Sequence, residues 1–556
     1  MNNRILVCLL SILLLESCQS IIPENKLDFD ITDKLASQSY SQLLAQGQAI
    51  YNFIPSGYNC IDGAMMAAAT DEADHAIVGS NIEKFQNGSW NAISNPDNVW
   101  NSSYRGIRTA NLFLQNSLGY ETIILRDTMT QAKLDEYRMQ CANLEWLRNE
   151  AHVMIAYNYF ELIKRYGGVP LVTQIYKLDN EVNLERSSYD EIVQYIIAKI
   201  DTALPHLQEN WATYNAASFG RINKGMAMAL KSRVLLYWAS PQNNKQNDVS
   251  RWQQAALAAR EVIDYGKYSL AEYSTKFTGL SGHQNSEIIF CHMTGENNSP
   301  ESLNYPVSTP GGQSGTCPSA NLVDSYEFAD GTPFSWTKIS IGEDPYANRD
   351  PRLKYSIVVN SSVWNGKVIE CYEGGADVTG AQVTTTGYYL KKFLTDNINL
   401  ELGQTAIHSW PLFRYGEILL NYAEGMNEAY GPDADIFGDG KTARWAVNEI
   451  RSKVNMPPVE ATSQSSMRER IKHERRIELA FEDHRSWDVR RWGEQEAIAT
   501  LGAPLRGVHI KKQSDGTFVY EPKTVENRVF LNKMILYPIP QSEILKSDKI
   551  SQNTGW

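Results

Sequence analysis

Beyond residue 15 the 556-residue chain has no apolar run that could cross a membrane, a crossing that takes about 20 residues. It has no excess of positive charge either: 52 Lys and Arg stand against 64 Asp and Glu, a formal net charge of −12. An acidic body argues against nucleic acid or an anionic lipid surface as its main partner. Cysteine is sparse. Of the seven, Cys8 and Cys18 fall at the amino terminus, and Cys60, Cys141, Cys291, Cys317 and Cys371 contain no CxxC pair. A thiolate metal site is therefore not expected, any disulfide would be long-range and leave one thiol over, and most of these residues read as small buried apolar groups.

Catalytic and phosphate-binding motifs are incomplete. His473-Glu474 opens like a zinc helix, but position 477 is Ile where a second His would be needed. Gly312-Gln313-Ser314-Gly315-Thr316 lacks the last glycine of a nucleophile elbow. Gly440-Lys441-Thr442 imitates a phosphate loop with Asp435 at the first glycine position, and among Asp433, Asp435 and Asp439 an oxygen-rich calcium pattern is interrupted by Phe437. Glu478 and Glu482 are four apart and would share a helix face, but Arg475, Arg476, Arg485, Arg490 and Arg491 crowd them, and arginines hold carboxylates ionised instead of raising a pKa. No catalytic site, metal or cofactor is expected.

What the chain does contain begins at its first residues. Arg4 precedes an apolar block over 5–15, and Leu15-Glu16-Ser17-Cys18 follows, the pattern of a lipoprotein signal ending in a lipobox. Residues 1–17 are expected to be a signal peptide, Cys18 the lipidation site and membrane attachment, and 18–38 a tether. Aromatic residues are plentiful, with 29 Tyr and 13 Trp, side chains that offer an apolar face and a polar edge.

Helical spacing recurs along the body. Apolar periodicity predicts helices over 100–118 and 135–166, the second stopped by Gly167-Gly168-Val169-Pro170. Ser187-Ser188-Tyr189-Asp190-Glu191 resembles a capped start for a helix to about 204, and 224–238 and the alanine-rich 252–265 follow. From about 270 to 410 Gly, Ser, Asn and Pro dominate with short apolar runs such as Glu287-Ile288-Ile289-Phe290, and helices return at 410–430, 443–454 and 466–483. The fold class is mainly α: a TPR-like helical-repeat body over about 39–265 and 410–485, interrupted by a loop-rich lobe with short strands, with 486–556 packed on the body.

A series of segments spread over the chain carries a resemblance. They include Thr70-Asp71-Glu72, Tyr104-Arg105-Gly106-Ile107 with Ala110-Asn111, Arg165-Tyr166-Gly167-Gly168-Val169-Pro170, Gly220-Arg221-Ile222-Asn223-Lys224-Gly225 and Asn348-Arg349-Asp350-Pro351-Arg352-Leu353. Tyr422-Ala423-Glu424 and Asn448-Glu449-Ile450-Arg451 follow, and the strongest is Glu474-Arg475-Arg476-Ile477-Glu478-Leu479-Ala480-Phe481-Glu482-Asp483-His484-Arg485, continued by Asp488 and Arg490-Arg491-Trp492. The ending, Tyr537-Pro538-Ile539-Pro540 and Gln552-Asn553-Thr554-Gly555-Trp556, belongs to the same pattern. Together they resemble the SusD/RagB family, outer-membrane lipoproteins of Bacteroidetes that bind nutrient glycans beside a SusC-like TonB-dependent transporter. The resemblance implies a non-catalytic, surface-exposed protein that binds an oligosaccharide and hands it to such a transporter. Peptide or protein binding in the same kind of uptake system and a surface glycoside hydrolase are the alternatives.

Family members hold sugar in an arc of aromatics from a loop ahead of an early helix and from loops of the later lobe. In this chain the early loop offers Trp90 with Asn87 and Asn91, and the lobe offers Tyr305, Trp336 and Trp364 in polar surroundings. Trp100 and Tyr104, on the helix itself, read as core.

Overall fold

The computed structural model describes residues 39–122, 128–176, 183–211, 218–278 and 284–556. The predicted signal, Cys18 and tether lie outside the described residues. The body is a succession of helices: α1 (Tyr40–Gln48), α2 (Trp100–Ser117), α3 (Gln131–Tyr166), α4 (Tyr189–Ala203), α5 (Lys224–Ala239), α6 (Val249–Tyr265), α7 (Tyr415–Tyr430), α8 (Ala443–Lys453) and α9 (Gln464–Glu478). From α2 to α8 each packs on the next in sequence, α6 on α7 included. The residues between α6 and α7 therefore form an insertion between consecutive members of one helical stack, and the expected mainly α, TPR-like architecture holds.

Local chemistry sets the helix ends. Side chains of Thr130, Ser188, Asn223, Asp248, Thr442 and Ser463 accept from backbone N–H groups of the first turns of α3, α4, α5, α6, α8 and α9, and Ser188 and Glu191 complete a reciprocal capping box. Gly167 and Gly266 close α3 and α6 with positive φ. Between α6 and α7 the small residues permit close approach: a Cβ on Gly425 would lie 2.8 Å from the Ala256 backbone nitrogen. Among the described residues no helix is long and apolar enough to cross a membrane.

Two predicted helices begin or end elsewhere. The segment expected to be helical from Trp410 is strand β2 (Ala406–Arg414) up to Arg414, paired antiparallel with β1 (Ile288–Asn297). Pro411 lacks the N–H a helix interior needs, and the strand partner lies far upstream in sequence. The predicted helix 466–483 stops at Glu478, because Phe481 and Asp483 take left-handed conformations, φ +63° and +61°. Glu478 and Glu482 therefore do not share a helix face. A long hairpin, β3 (Leu505–Lys512) with β4 (Phe518–Glu526), rises from the carboxy-terminal segment. Of the five body cysteines, Cys291, Cys317 and Cys371 are buried as expected, Cys141 is half-buried and Cys60 is exposed.

The lobe is fixed to the stack by buried charge. Arg352 pairs with Asp350 (2.7 Å), Glu474 (2.5 Å) and Glu478 (2.9 Å). Arg414 meets Glu287 (2.6 Å), Glu478 (2.8 Å) and Glu482 (2.6 Å). Lys276 bridges Glu287 and Glu478, Lys392 holds Glu482, and Arg451 joins Glu474 to Glu327. None of these side chains is more than 3 % exposed. The expected charge pairing of Glu478 and Glu482 is present, but its cations come from distant segments. The neighbouring arginines serve other carboxylates: Arg475 and Arg491 meet Asp488, Arg491 also Glu424, and Arg476 and Arg485 meet Asp71.

Removing one partner from such a network leaves uncompensated charge in the interior. Arg414→Met is expected to lower stability by about 3–5 kcal/mol in denaturant unfolding; a loss below about 1 kcal/mol would contradict the network's role. Burial alone would raise the Glu482 pKa, but Arg414 and Lys392 outweigh it and hold it below the ordinary value. Asp488 and Glu424 are lowered by their arginines against the same opposing burial. Because the folded pKa values are depressed, their stabilisation is complete above the unfolded glutamate value of about 4.3 and disappears as pH falls below it. A thermal midpoint that stays flat from neutral pH down to about pH 3 would contradict this.

Candidate functional site

The lobe and the β3–β4 hairpin meet in a band of aromatic rings. On β4 Phe518 and Tyr520 lie two residues apart and so share a face, opposite Lys512 and Ile510 of β3. That face meets the lobe loops. Tyr520 lies 6.2 Å from Trp336 and 5.6 Å from Tyr346, Trp336 lies 5.3 Å from Phe334, and Phe518 lies 5.4 Å from Tyr372. Phe334, Trp336, Tyr346, Tyr372, Phe518 and Tyr520 are all half-buried, and all but Phe334 pack against the core.

Buried arginine and carboxylate set the geometry beneath. The Arg349 guanidinium stacks 3.6 Å from the Phe334 ring centre and donates to the carbonyls of Val323, Tyr326 and Pro345. Burial pulls its pKa down to about 10, which still leaves it charged at neutral pH. Trp336 Nε1 donates to Asp324 Oδ2 (3.3 Å), which also pairs with Arg506 (3.2 Å). Tyr346 carries the band into a groove of about 370 Å³ that Asp344, Asn348, Lys354, Asn360, Trp364 and Lys391 also line. A row of half-buried aromatic rings beside amide, carboxylate and ammonium groups suits a ligand with apolar faces and many hydroxyls.

The six predicted binding residues separate into two regions. Trp336 lies in the aromatic band, and Trp364 lines the adjoining groove, although it is only 3 % exposed. Tyr305 is fully buried behind Trp364, 6.0 Å away edge-on, and its hydroxyl donates to the Thr395 carbonyl. Trp90 is 2 % exposed and packs among Phe85, Tyr537 and Trp556, so its ring has no free face. Asn87 and Asn91 are exposed but shape their own loop: Asn87 accepts from the Ser89 N–H, and Asn91 accepts from those of Ile93 and Ser94. The early loop is thus built around a packing anchor. Trp100 is buried as expected, and Tyr104 is half-buried with its hydroxyl on the Pro170 carbonyl.

Sequence reading missed Tyr346, Tyr372, Phe518 and Tyr520. For the last two a signal existed, since the alternation of Phe518 and Tyr520 follows Asp515-Gly516, a hairpin turn pair. The carboxylates weighed for catalysis are withdrawn from solvent, Glu478 at 1 % and Glu482 at 4 % exposure, and each is tied to two or more cations. The aspartates of 433–439 are likewise engaged: Asp433 with Arg444, Asp439 with Arg260 and Lys441, and Asp435 with the N–H groups of Gly438, Asp439 and Gly440.

A family model described as the SusD family matches residues 286–556, and another, described as starch-binding and associating with the outer membrane, matches 28–236. The chain belongs to the SusD family. A solved SusD-like protein from Bacteroides fragilis is 27 % identical with a TM-score of 0.76, over 94 % of this chain and 98 % of that one. A further Bacteroides fragilis structure, described as a SusD-like carbohydrate binding protein, is 24 % identical with a TM-score of 0.75, over 93 % and 100 %. A curated SusD-like protein of Formosa agariphila is 23 % identical over 433 residues, 71 % of this chain and 70 % of its own length. The SusD family thus includes carbohydrate-binding proteins and carries an association with the outer membrane.

Within this SusD-family fold, Trp90 is expected to act through stability. Trp90→Ala should cost about 3–5 kcal/mol in unfolding measurements, as for other buried aromatic truncations. A fully stable variant would show that the ring is not a packing anchor.

Proposed function

We propose that this SusD-family protein is a non-catalytic receptor on the outer surface of the outer membrane, anchored by lipid at Cys18, that captures an oligosaccharide and delivers it to a SusC-like TonB-dependent transporter. The observation that carries the binding role is the aromatic band of Trp336, Tyr346, Tyr520 and Phe518 beside the polar groove. A pyranose presents an apolar face of axial C–H groups and a rim of hydroxyls. Rings at the lobe–hairpin seam match the face, and Asn348, Asp344 and Lys391 match the rim.

The seating of the band suits a preformed binding surface. Arg349 holds the neighbouring Phe334 ring and the Pro345 carbonyl just before Tyr346, and the hairpin register sets Phe518 and Tyr520, so little ordering is left to be done on binding. Trp364 remains part of the groove wall in this reading, with Tyr305 as its support, whereas Trp90, Asn87 and Asn91 are assigned to the structure of the early loop.

Calorimetric titration of the chain from residue 19 onward against plant, host and microbial oligosaccharides and short peptides, with product analysis, tests the proposal. One intact glycan class should bind saturably, and Trp336→Ala and Tyr520→Ala should each weaken it by about 2 kcal/mol, roughly 30-fold, with a smaller loss of stability than Trp90→Ala causes. Cleaved product would overturn the non-catalytic role. Binding confined to peptides would move the protein to a peptide-uptake role, and unchanged affinity in both variants would remove the band as the site.

A further inference from the structure

A second concave site lies inside the helical stack, away from the aromatic band. It is a cleft of about 330 Å³ walled by residues of 52–61, the start of α2, the later turns of α3, the end of β2 and the turn that follows α9. Most charges on its wall are matched. Arg165 pairs with Asp97 (2.7 Å) and Glu161 (2.6 Å), Lys164 with Glu161 (2.7 Å), Arg233 with Glu417 (2.6 Å), and Glu482 with Arg414 and Lys392.

Asp483 is the exception. Its Oδ1 is buried without a hydrogen-bond partner, and among the described residues its carboxylate makes no ion pair. Two more polar side chains on the same wall, the Tyr157 hydroxyl and the His484 ring, have no protein hydrogen bond among the described residues. Three polar side chains without a protein hydrogen bond among the described residues thus line one cleft. With Glu417 on Arg233 and with Arg414 and Lys392 on Glu482, the wall's other charges are matched, and Asp483 is the carboxylate left without an ion pair among the described residues.

The protonation states agree with that reading. Burial raises the Asp483 pKa to about 7 against the pull of Lys164, with Asp97 adding to the rise, so a cation seated beside it would ionise it fully. Burial, aided by Arg233 and other nearby cations, lowers the His484 pKa and keeps the ring neutral, with one donor and one acceptor nitrogen. Asp483 holds a left-handed backbone conformation, φ +61°, which directs this turn and which Asp and Asn tolerate better than bulkier residues.

We propose that this cleft binds a small polyhydroxylated ammonium compound of the amino-sugar class, its ammonium on Asp483 and its hydroxyls on Tyr157 and His484. The proposal does not rest on the aromatic band as a glycan site. D-glucosamine and D-glucose are the probes, titrated calorimetrically into the chain from residue 19 onward, a truncation that removes none of the described residues. Glucosamine should bind saturably and glucose at least about tenfold more weakly, the loss expected for one charged hydrogen bond. Asp483→Asn should abolish that preference, and Tyr157→Phe should weaken both sugars.

Cys60 lies on the cleft wall and is exposed as a residue, but burial pushes its thiol pKa well up, so slow labelling supplies the readout in the unmodified protein. Glucosamine should slow its labelling by a maleimide, followed by mass spectrometry at that residue, and this arm decides the matter should Asp483→Asn fail to fold. Glucose binding as tightly as glucosamine, an unchanged preference in a folded Asp483→Asn variant, or absence of both saturable heat and Cys60 protection would each overturn the proposal, the last leaving the cleft as a water-filled space.

Discussion

Arg414, with Glu287, Glu478 and Glu482 around it, is the contact on which the molecule's architecture depends. Glu478 closes the last helix of the stack and Glu482 belongs to the turn after it, whereas Glu287 and Arg414 flank the strand pair at the lobe's base. Arg352 and Lys392 extend the same network into the lobe, and Arg451 extends it to Glu327. Ions buried this deeply gain from each other only about what they lose in leaving water. The net effect is geometric specificity: the lobe can dock with all its charges matched in one arrangement.

That arrangement reaches the candidate binding surface. Glu327 fixes the chain just before Phe328 and Phe334, and Asp350 fixes it just after Tyr346 and Asn348. Arg349 lies between them, under the Phe334 ring. The loops that present Trp336 and Tyr346 are therefore held at both ends by buried ions, while β3 and β4 bring Tyr520 from the far end of the chain. Loops without regular structure can offer a defined surface when their anchors are this rigid.

The helical stack was legible because its signals are local. Ser188 with Glu191, Gly167, and the alanines of 255–259 each report on the few residues around them. The strand at 406–414 was not legible, since its partner at 288–297 is set by tertiary pairing and the stretch mimics a helical stripe. The charge-rich segment from Glu474 to Arg485 was readable as an ion network, but its partners were not: the cations nearest in sequence serve Asp488, Glu424 and Asp71, and those from the lobe serve Glu478 and Glu482. The aromatic site failed for a related reason. A tryptophan in a polar loop has the same sequence signature whether it meets solvent, as Trp336 does in part, or plugs the core, as Trp90 does. Burial separates the two, and burial of Trp90 depends on Tyr537 and Trp556, more than 400 residues later in the chain.

A crystal structure of the chain from residue 19 onward with a bound oligosaccharide, chosen by affinity, tests the central claim most directly. A sugar ring stacked on Trp336 or Tyr520, with hydroxyls toward Asn348 or Lys391, is the expected result. A well-ordered oligosaccharide seated elsewhere, at the loop around Trp90 or on the outer face of the helical stack, would contradict it.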